Sequence, residues 1–153
     1  MNSYSLLDKV QKIVRESQKL KDRHTDQVNA QVNYVCIFSH TFEEYNDLYK
    51  LITKFGEIVQ DTTTGPLIKF PPMPTTAGDL QLLKIRMPDV SRKERGDADF
   101  TVKNYQEFKN KYINNSGFKL IIRDKFEMIE LSDSSFGVLA YFSNPPLDVQ
   151  LGL

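Results

Sequence analysis

A chain of 153 residues suits one compact domain, and folding at this length buries about 70% of the surface an unfolded chain exposes. Lys plus Arg and Asp plus Glu each total 20, so formal charge is zero and the electrostatic footprint of a nucleic-acid binder is missing. One cysteine, Cys36, excludes an internal disulfide, and no apolar run is long enough to span a bilayer.

The first twelve residues, MNSYSLLDKVQK, place an acid and polar groups where a secretion signal needs an apolar core, so a cytoplasmic setting is expected, without a membrane partner. Over residues 4–22, Leu6, Leu7, Val10, Ile13, Val14 and Leu20 recur at three-and-four spacing, which predicts an amphipathic helix. Ser5 is its expected cap, with Asp8 in the first turn. The apolar stripe suits a helix laid across its own sheet, and a homodimer seam is the other use for it.

VNYVCIFS (32–39) reads as a strand, rich in β-branched and aromatic residues. Thr41-Phe-Glu-Glu44 is laid out as a capping box and opens a helix carrying Phe42, Tyr45, Leu48, Tyr49, Ile52 and Phe55, with Gly56 as a left-handed stop. EIVQDT and PLIKF are short strands around the turn TTGP, and PPMPTTAGD is a loop, since prolines do not suit central strands. DLQLLKIRM (79–87) is a further strand. A charged connection containing Arg92, Lys93, Glu94 and Arg95 reads as a solvated hinge.

The pattern then recurs. DADFTV is a strand, Asn104-Tyr-Gln-Glu107 repeats the cap layout, and Tyr105, Phe108 and Tyr112 line a helix ended by NNSG. FKLIIR, FEMIEL and FGVLAYF are three more strands, and NPPLDVQLGL closes the chain. TFEEYNDLY (41–49) and NYQEFKNKY (104–112) match in cap, aromatic, acid, aromatic and final Tyr. The expected fold class is α+β: two βαβββ modules, 32–87 and 97–143, forming a curved mixed sheet. Residues 1–28 form a helical extension to a single domain over 29–153.

Paired βαβββ modules resemble the vicinal oxygen chelate superfamily, which includes glyoxalases, extradiol dioxygenases and antibiotic-binding resistance proteins. RDKFEMIEL (123–131) resembles its late signature, an Asp-containing turn before a strand ending in glutamate and leucine. That glutamate is a metal ligand in the enzymes, which gives Glu130 as the best catalytic candidate. By motif Glu130 belongs to the eighth strand, by count to the seventh. The family's first and fifth strands supply His or Gln ligands, whereas the matching stretches here offer Asn33, Asp97 and Asp99.

With only His24 and His40 in the chain, a three-ligand centre rich in histidine is not expected, and no cofactor is assigned. Were a metal bound, Glu130, Asp99 and His40 are the donors the sequence offers. Cys36, inside an apolar strand, reads as a small hydrophobe rather than a nucleophile. On strand alternation, Lys84 and Arg86 share one face, and Met128 with Glu130 opposes Glu127 with Ile129. If the sheet curls, Arg86 and Arg123 converge with Glu127 or Glu130 to hold an anion, Asp99 and Tyr34 completing the lining. A cross-strand Arg–Glu pair that fixes register is the plainer use of the same residues. The expected function is metal-free binding of a small anionic compound. The alternatives are a metal-dependent lyase or dioxygenase of the same superfamily and a protein-interaction module.

Overall fold

The computed structural model describes residues 2–153. Its elements run α1 (Ser3–His24), β1 (Gln31–Phe38), α2 (Phe42–Ile52), β2 (Glu57–Thr62), β3 (Gly65–Thr75), β4 (Gly78–Arg86), β5 (Gly96–Thr101), α3 (Tyr105–Tyr112), β6 (Phe118–Ile122), β7 (Glu127–Leu131), β8 (Leu139–Asn144) and α4 (Leu147–Gln150). The strands form one eight-stranded sheet in the order β2-β3-β4-β1-β5-β8-β7-β6. β1 runs parallel to β4 and β5 parallel to β8, while β1 and β5 meet antiparallel at the centre. Each half therefore repeats the same path, with its first strand central and its second at an outer edge. Two βαβββ modules, joined through their first strands, make the sheet. No helix among the described residues is long and apolar enough to cross a membrane.

All three long helices cover one face. Val35 and Ile37 of β1, Leu83 and Ile85 of β4, Ala98 and Phe100 of β5, and Ala140 and Phe142 of β8 pack there in one core. Leu6, Val10, Ile13, Val14 and Leu20 of α1 belong to the same core, so the amphipathic stripe is spent on the chain's own sheet; Leu7 alone of the predicted stripe is exposed. α1 touches β1, β5 and β8, and polar bonds tie it to both modules. Gln11 donates to the Pro74 carbonyl at 2.9 Å in the first module, and the Ser17 hydroxyl to the Leu139 carbonyl at 2.9 Å in the second.

Several local expectations need correction. Asn2, not Ser5, caps α1: its Oδ1 accepts from the Ser5 N–H at 3.0 Å, which puts Asp8 beyond the first turn. Thr41 caps α2 by accepting from the Glu44 N–H at 3.1 Å, but the Glu44 carboxylate returns to the N–H of His40. α2 stops at Ile52 with a right-handed cap at Thr53, and Gly56 is not left-handed. Gly56 is needed instead for close approach, because a Cβ there would lie 2.2 Å from the Lys69 carbonyl oxygen.

The proline run is strand, not loop. β3 continues through Pro71, Pro72 and Pro74 to pair Met73 with Leu80 after a register shift. β2 pairs with β3 only from Gly65 to Lys69, so the proline stretch has a neighbour on one side only. An edge needs no outward N–H donor, and proline is tolerated there.

Candidate functional site

The face away from the long helices carries the polar residues, and strand register decides which. Cys36 stands beside Lys84 on β4 and Asp97 on β5, and Asp97 in turn beside Leu139 on β8. A second row runs Tyr34, Asp99, Tyr141, Glu130 and Lys119 across β1, β5, β8, β7 and β6. Tyr34 reaches this face because β1 bulges at Asn33: Val32 pairs with Phe100 toward the helices, and Tyr34 pairs with Asp99 on the opposite side. A bulge inserts one extra residue and so reverses the alternation beyond it. Asn33, the extra residue, exchanges two hydrogen bonds with Asp148 in α4, at 2.8 and 3.1 Å. The C-terminal segment is thereby fixed beside Tyr34.

The two aspartates sit at the heart of this face. Asp97 is 4% exposed and Asp99 0%. The Ser143 hydroxyl donates to one oxygen of Asp99, while Oδ1 of Asp99 and Oδ1 of Asp97 have no hydrogen-bond partner among the described residues. Burial pushes the Asp99 carboxyl up to about 7, opposed by the Ser143 hydrogen bonds. Burial, then the Asp99 charge, pushes Asp97 well above the carboxylate range, with Lys84 and Arg86 pulling it back. Burial and the same carboxylates raise the Tyr34 phenol, and burial with Asp97 raises the Cys36 thiol. Cys36 is buried in this face and stays a thiol, as an apolar setting requires.

Beside the aspartates, Tyr141 donates to Glu130 Oε2 at 2.5 Å, and Arg92 reaches the same oxygen at 3.3 Å. Burial, Asp97 and the Glu130 hydrogen bond push the Tyr141 phenol far up, so it stays a donor. Arg92 comes from the connection between modules, which the charge density marks as solvent-facing. The structure corrects that: Arg92 folds back over β7 and is only half-exposed. Loop charge alone gives no sign of its destination.

The other predicted residues separate into two groups. Tyr34, Asp99, Arg86 and Glu130 share the open face, with Arg86 at its rim, 3.2 Å from Asp89 and 5.4 Å over the Phe38 ring. Glu130 lies on β7, the seventh strand. Glu127 faces the helices, where it accepts from Tyr105 at 2.7 Å and Lys109 at 2.9 Å, contacts that hold its carboxyl below the usual range. Arg123 lies exposed in the β6–β7 turn. β1, β5, β8 and β7 separate it from β4, roughly 24 Å along the sheet at five strand spacings. Arg86, Arg123 and Glu127 therefore do not converge.

His40 is exposed at the end of β1, its ring bonded to the Glu94 carbonyl at 3.0 Å. Glu130, Asp99 and His40 do not gather, and no group of three His, Cys, Asp or Glu side chains able to hold a metal occurs among the described residues. The face instead sets Lys84 and Arg86 beside Asp97, and Arg92 on Glu130. Cations in those places oppose a divalent ion, and this donor set does not fit the metal centre that the resemblance implies.

No protein-family model matches the sequence, and no curated protein matches it. Among solved structures, a structural-genomics target, protein EC4020, superimposes with a TM-score of 0.75 at 8% identity, covering 97% of this chain and 91% of that one. The two share a fold. Coverage so complete takes in the residues of α1. Methylmalonyl-CoA epimerase from Mycobacterium tuberculosis gives a TM-score of 0.47 at 13% identity, over 74% of this chain and 86% of its own. A glyoxalase/bleomycin resistance protein/dioxygenase superfamily member from Vibrio splendidus 12B01 gives 0.43 at 6%, over 74% and 97%. The likeness to the vicinal oxygen chelate superfamily rests on strand order and module pairing, and it is a likeness of fold.

Proposed function

We propose that this is a metal-free small-molecule-binding protein whose ligand is a small anionic compound that also donates a hydrogen bond. One observation carries the reading. Asp97 and Asp99 are buried with an unpartnered oxygen each, and half-buried Lys84 between Cys36 and Leu67 makes no ion pair or hydrogen bond among the described residues. An unsatisfied buried polar group costs about 1–3 kcal/mol, so unmet donors and acceptors on one face of the sheet call for an outside partner. A hydroxyl or ammonium group would serve the aspartates, and a carboxylate would serve Lys84 with Arg86.

Next to Tyr34 the same face holds a cavity of about 280 Å³ lined by Asn33, Lys69, Leu82, Asp148 and Leu153. It gives a small guest room beside the polar rows, below the size of a drug-like site. α1 packs its apolar stripe on the sheet, which removes the motive for a helix-mediated interaction module. The test is a thermal-shift and calorimetric screen with small hydroxy- and amino-carboxylates. Wild type responds, Lys84→Met and Asp99→Asn lose the response, and Arg123→Ala keeps it. A protein indifferent to every such compound, or a response untouched by Lys84→Met, sinks the reading. Mn²⁺, Fe²⁺, Zn²⁺ and Ni²⁺ are expected to leave the melting temperature unchanged; a saturable rise with any of them would remove "metal-free".

A further inference from the structure

A second cavity, of about 370 Å³, lies on the helix side of the sheet, at the end where β1 stops and β5 and β8 begin. Its size is within the roughly 300–1,000 Å³ of small-molecule sites. The floor is apolar: Ile13 of α1, Ile37 of β1 and Val138 just before β8, with Phe38 at its edge, the ring of Phe38 packing on the other face under Arg86. Lys9 and Lys12 of α1 and Arg95 of the connection stand around it, and none of the three is ion-paired among the described residues. Lys9 is half-buried, so its charge is only partly answered by water.

The rim is held in place rather than loose. The Arg95 N–H donates to the Gly137 carbonyl at 2.9 Å, and the Arg95 carbonyl accepts from the Phe38 N–H at 2.9 Å. The Arg95 guanidinium lies against Gly137, where a Cβ would stand 3.4 Å from Nη2, an ordinary contact. The His40 ring is anchored on the Glu94 carbonyl, and the His40 backbone N–H donates to the Glu44 carboxylate.

We infer that this cavity is a binding site for a small amphipathic carboxylate, separate from the open face. Three cations against Asp8 and Glu44 leave one net positive charge on the lining with His40 neutral, which matches a monoanion. The two acids disfavour a dianion. Arg95 offers the planar fork that holds a carboxylate through two parallel bonds, and the side chains of Ile13, Ile37 and Val138 beneath take the hydrocarbon body.

The test uses hexanoate and inorganic phosphate, titrated into ¹⁵N-labelled full-length protein. Hexanoate should give saturable amide shifts at Ile37, His40, Gly137 and Val138, and should bind more tightly than phosphate. Arg95→Glu and Lys12→Glu, both at exposed positions, should each weaken hexanoate about tenfold. Their circular dichroism should match wild type, and should one variant misfold, the other decides. No saturable shift at these amides overturns the inference. So does a response abolished by Lys84→Met but not by Arg95→Glu, which would move the binding to the open face. Phosphate binding as tightly as hexanoate would overturn the ligand class.

Discussion

Asp99→Asn should change how stability depends on pH. The ordinary aspartate value of 3.8 applies to the unfolded chain, and the folded value is about 7. Between those limits the folded state holds a proton that the unfolded state has released, so wild-type stability falls as pH rises. The stability present below pH 4 is lost progressively and fully by the time pH passes 7. Integrating the two titrations gives a loss of about 2 kcal/mol by pH 5 and about 4 kcal/mol at pH 7 and above. Asparagine carries no such proton, so the variant gains on wild type by that amount as pH is raised. Its absolute stability also reflects the new amide donor placed where Oδ1 now lacks a partner, which is constant with pH. The difference between pH 4 and pH 8 therefore reports the carboxyl together with the relief of Asp97, which the Asp99 charge pushes up, and both have the same sign. Urea unfolding followed by circular dichroism at four pH values measures it. Parallel curves for variant and wild type would refute a raised Asp99, and a gap that widens toward acid would reverse the sign.

Ser143→Ala removes a hydrogen bond that lowers the Asp99 carboxyl, so ¹³C-detected titration should place it higher still in the variant. Arg92→Ala leaves Glu130, 8% exposed, with Tyr141 as its remaining partner and should cost about 1–2 kcal/mol in urea unfolding, whereas Arg123→Ala should stay within about 0.5 kcal/mol. Gly96→Ala puts a Cβ 2.3 Å from the Cys36 carbonyl oxygen and 2.8 Å from Ile13 Cδ1; parting β1 from β5 should cost more than about 2 kcal/mol. Lys21 is fully buried in α1, donating to Asp22 at 2.6 Å and to the Gln27 carbonyl, with the Phe100 ring at 5.2 Å. Lys21→Ala should lower stability by about 2–4 kcal/mol, read from the midpoint shift at constant m-value.

Local pattern made the architecture legible. The aromatic-and-acid helices at 42–52 and 105–112 carry matching caps and occupy matching places, because cap chemistry and apolar spacing act within a few residues. What failed was set by neighbours. Pro71, Pro72 and Pro74 became strand because β2 ends before them, and Gly56 is dictated by a carbonyl on β3 rather than by its own dihedral angles. At the site, alternation puts Lys84 and Arg86 on one face and sets Glu127 opposite Glu130, but leaves open which of the two glutamates shares the open face. It could not see the bulge at Asn33, which turns Tyr34 toward Asp99, or the fold-back of Arg92. Nor can alternation measure distance across the sheet, so it groups Arg123 with Arg86, five strand spacings away.

The tethers of α1 to Pro74 on one side and Leu139 on the other bear on how a guest could enter. A helix riveted to both repeats acts as a splint across their seam, so the halves are denied the book-like opening that a lone central strand pair would permit. Admission to the aspartate rows then falls to pieces outside the splint: the interdomain-style connection bearing Arg92, and the tail latched by Asn33 and Asp148.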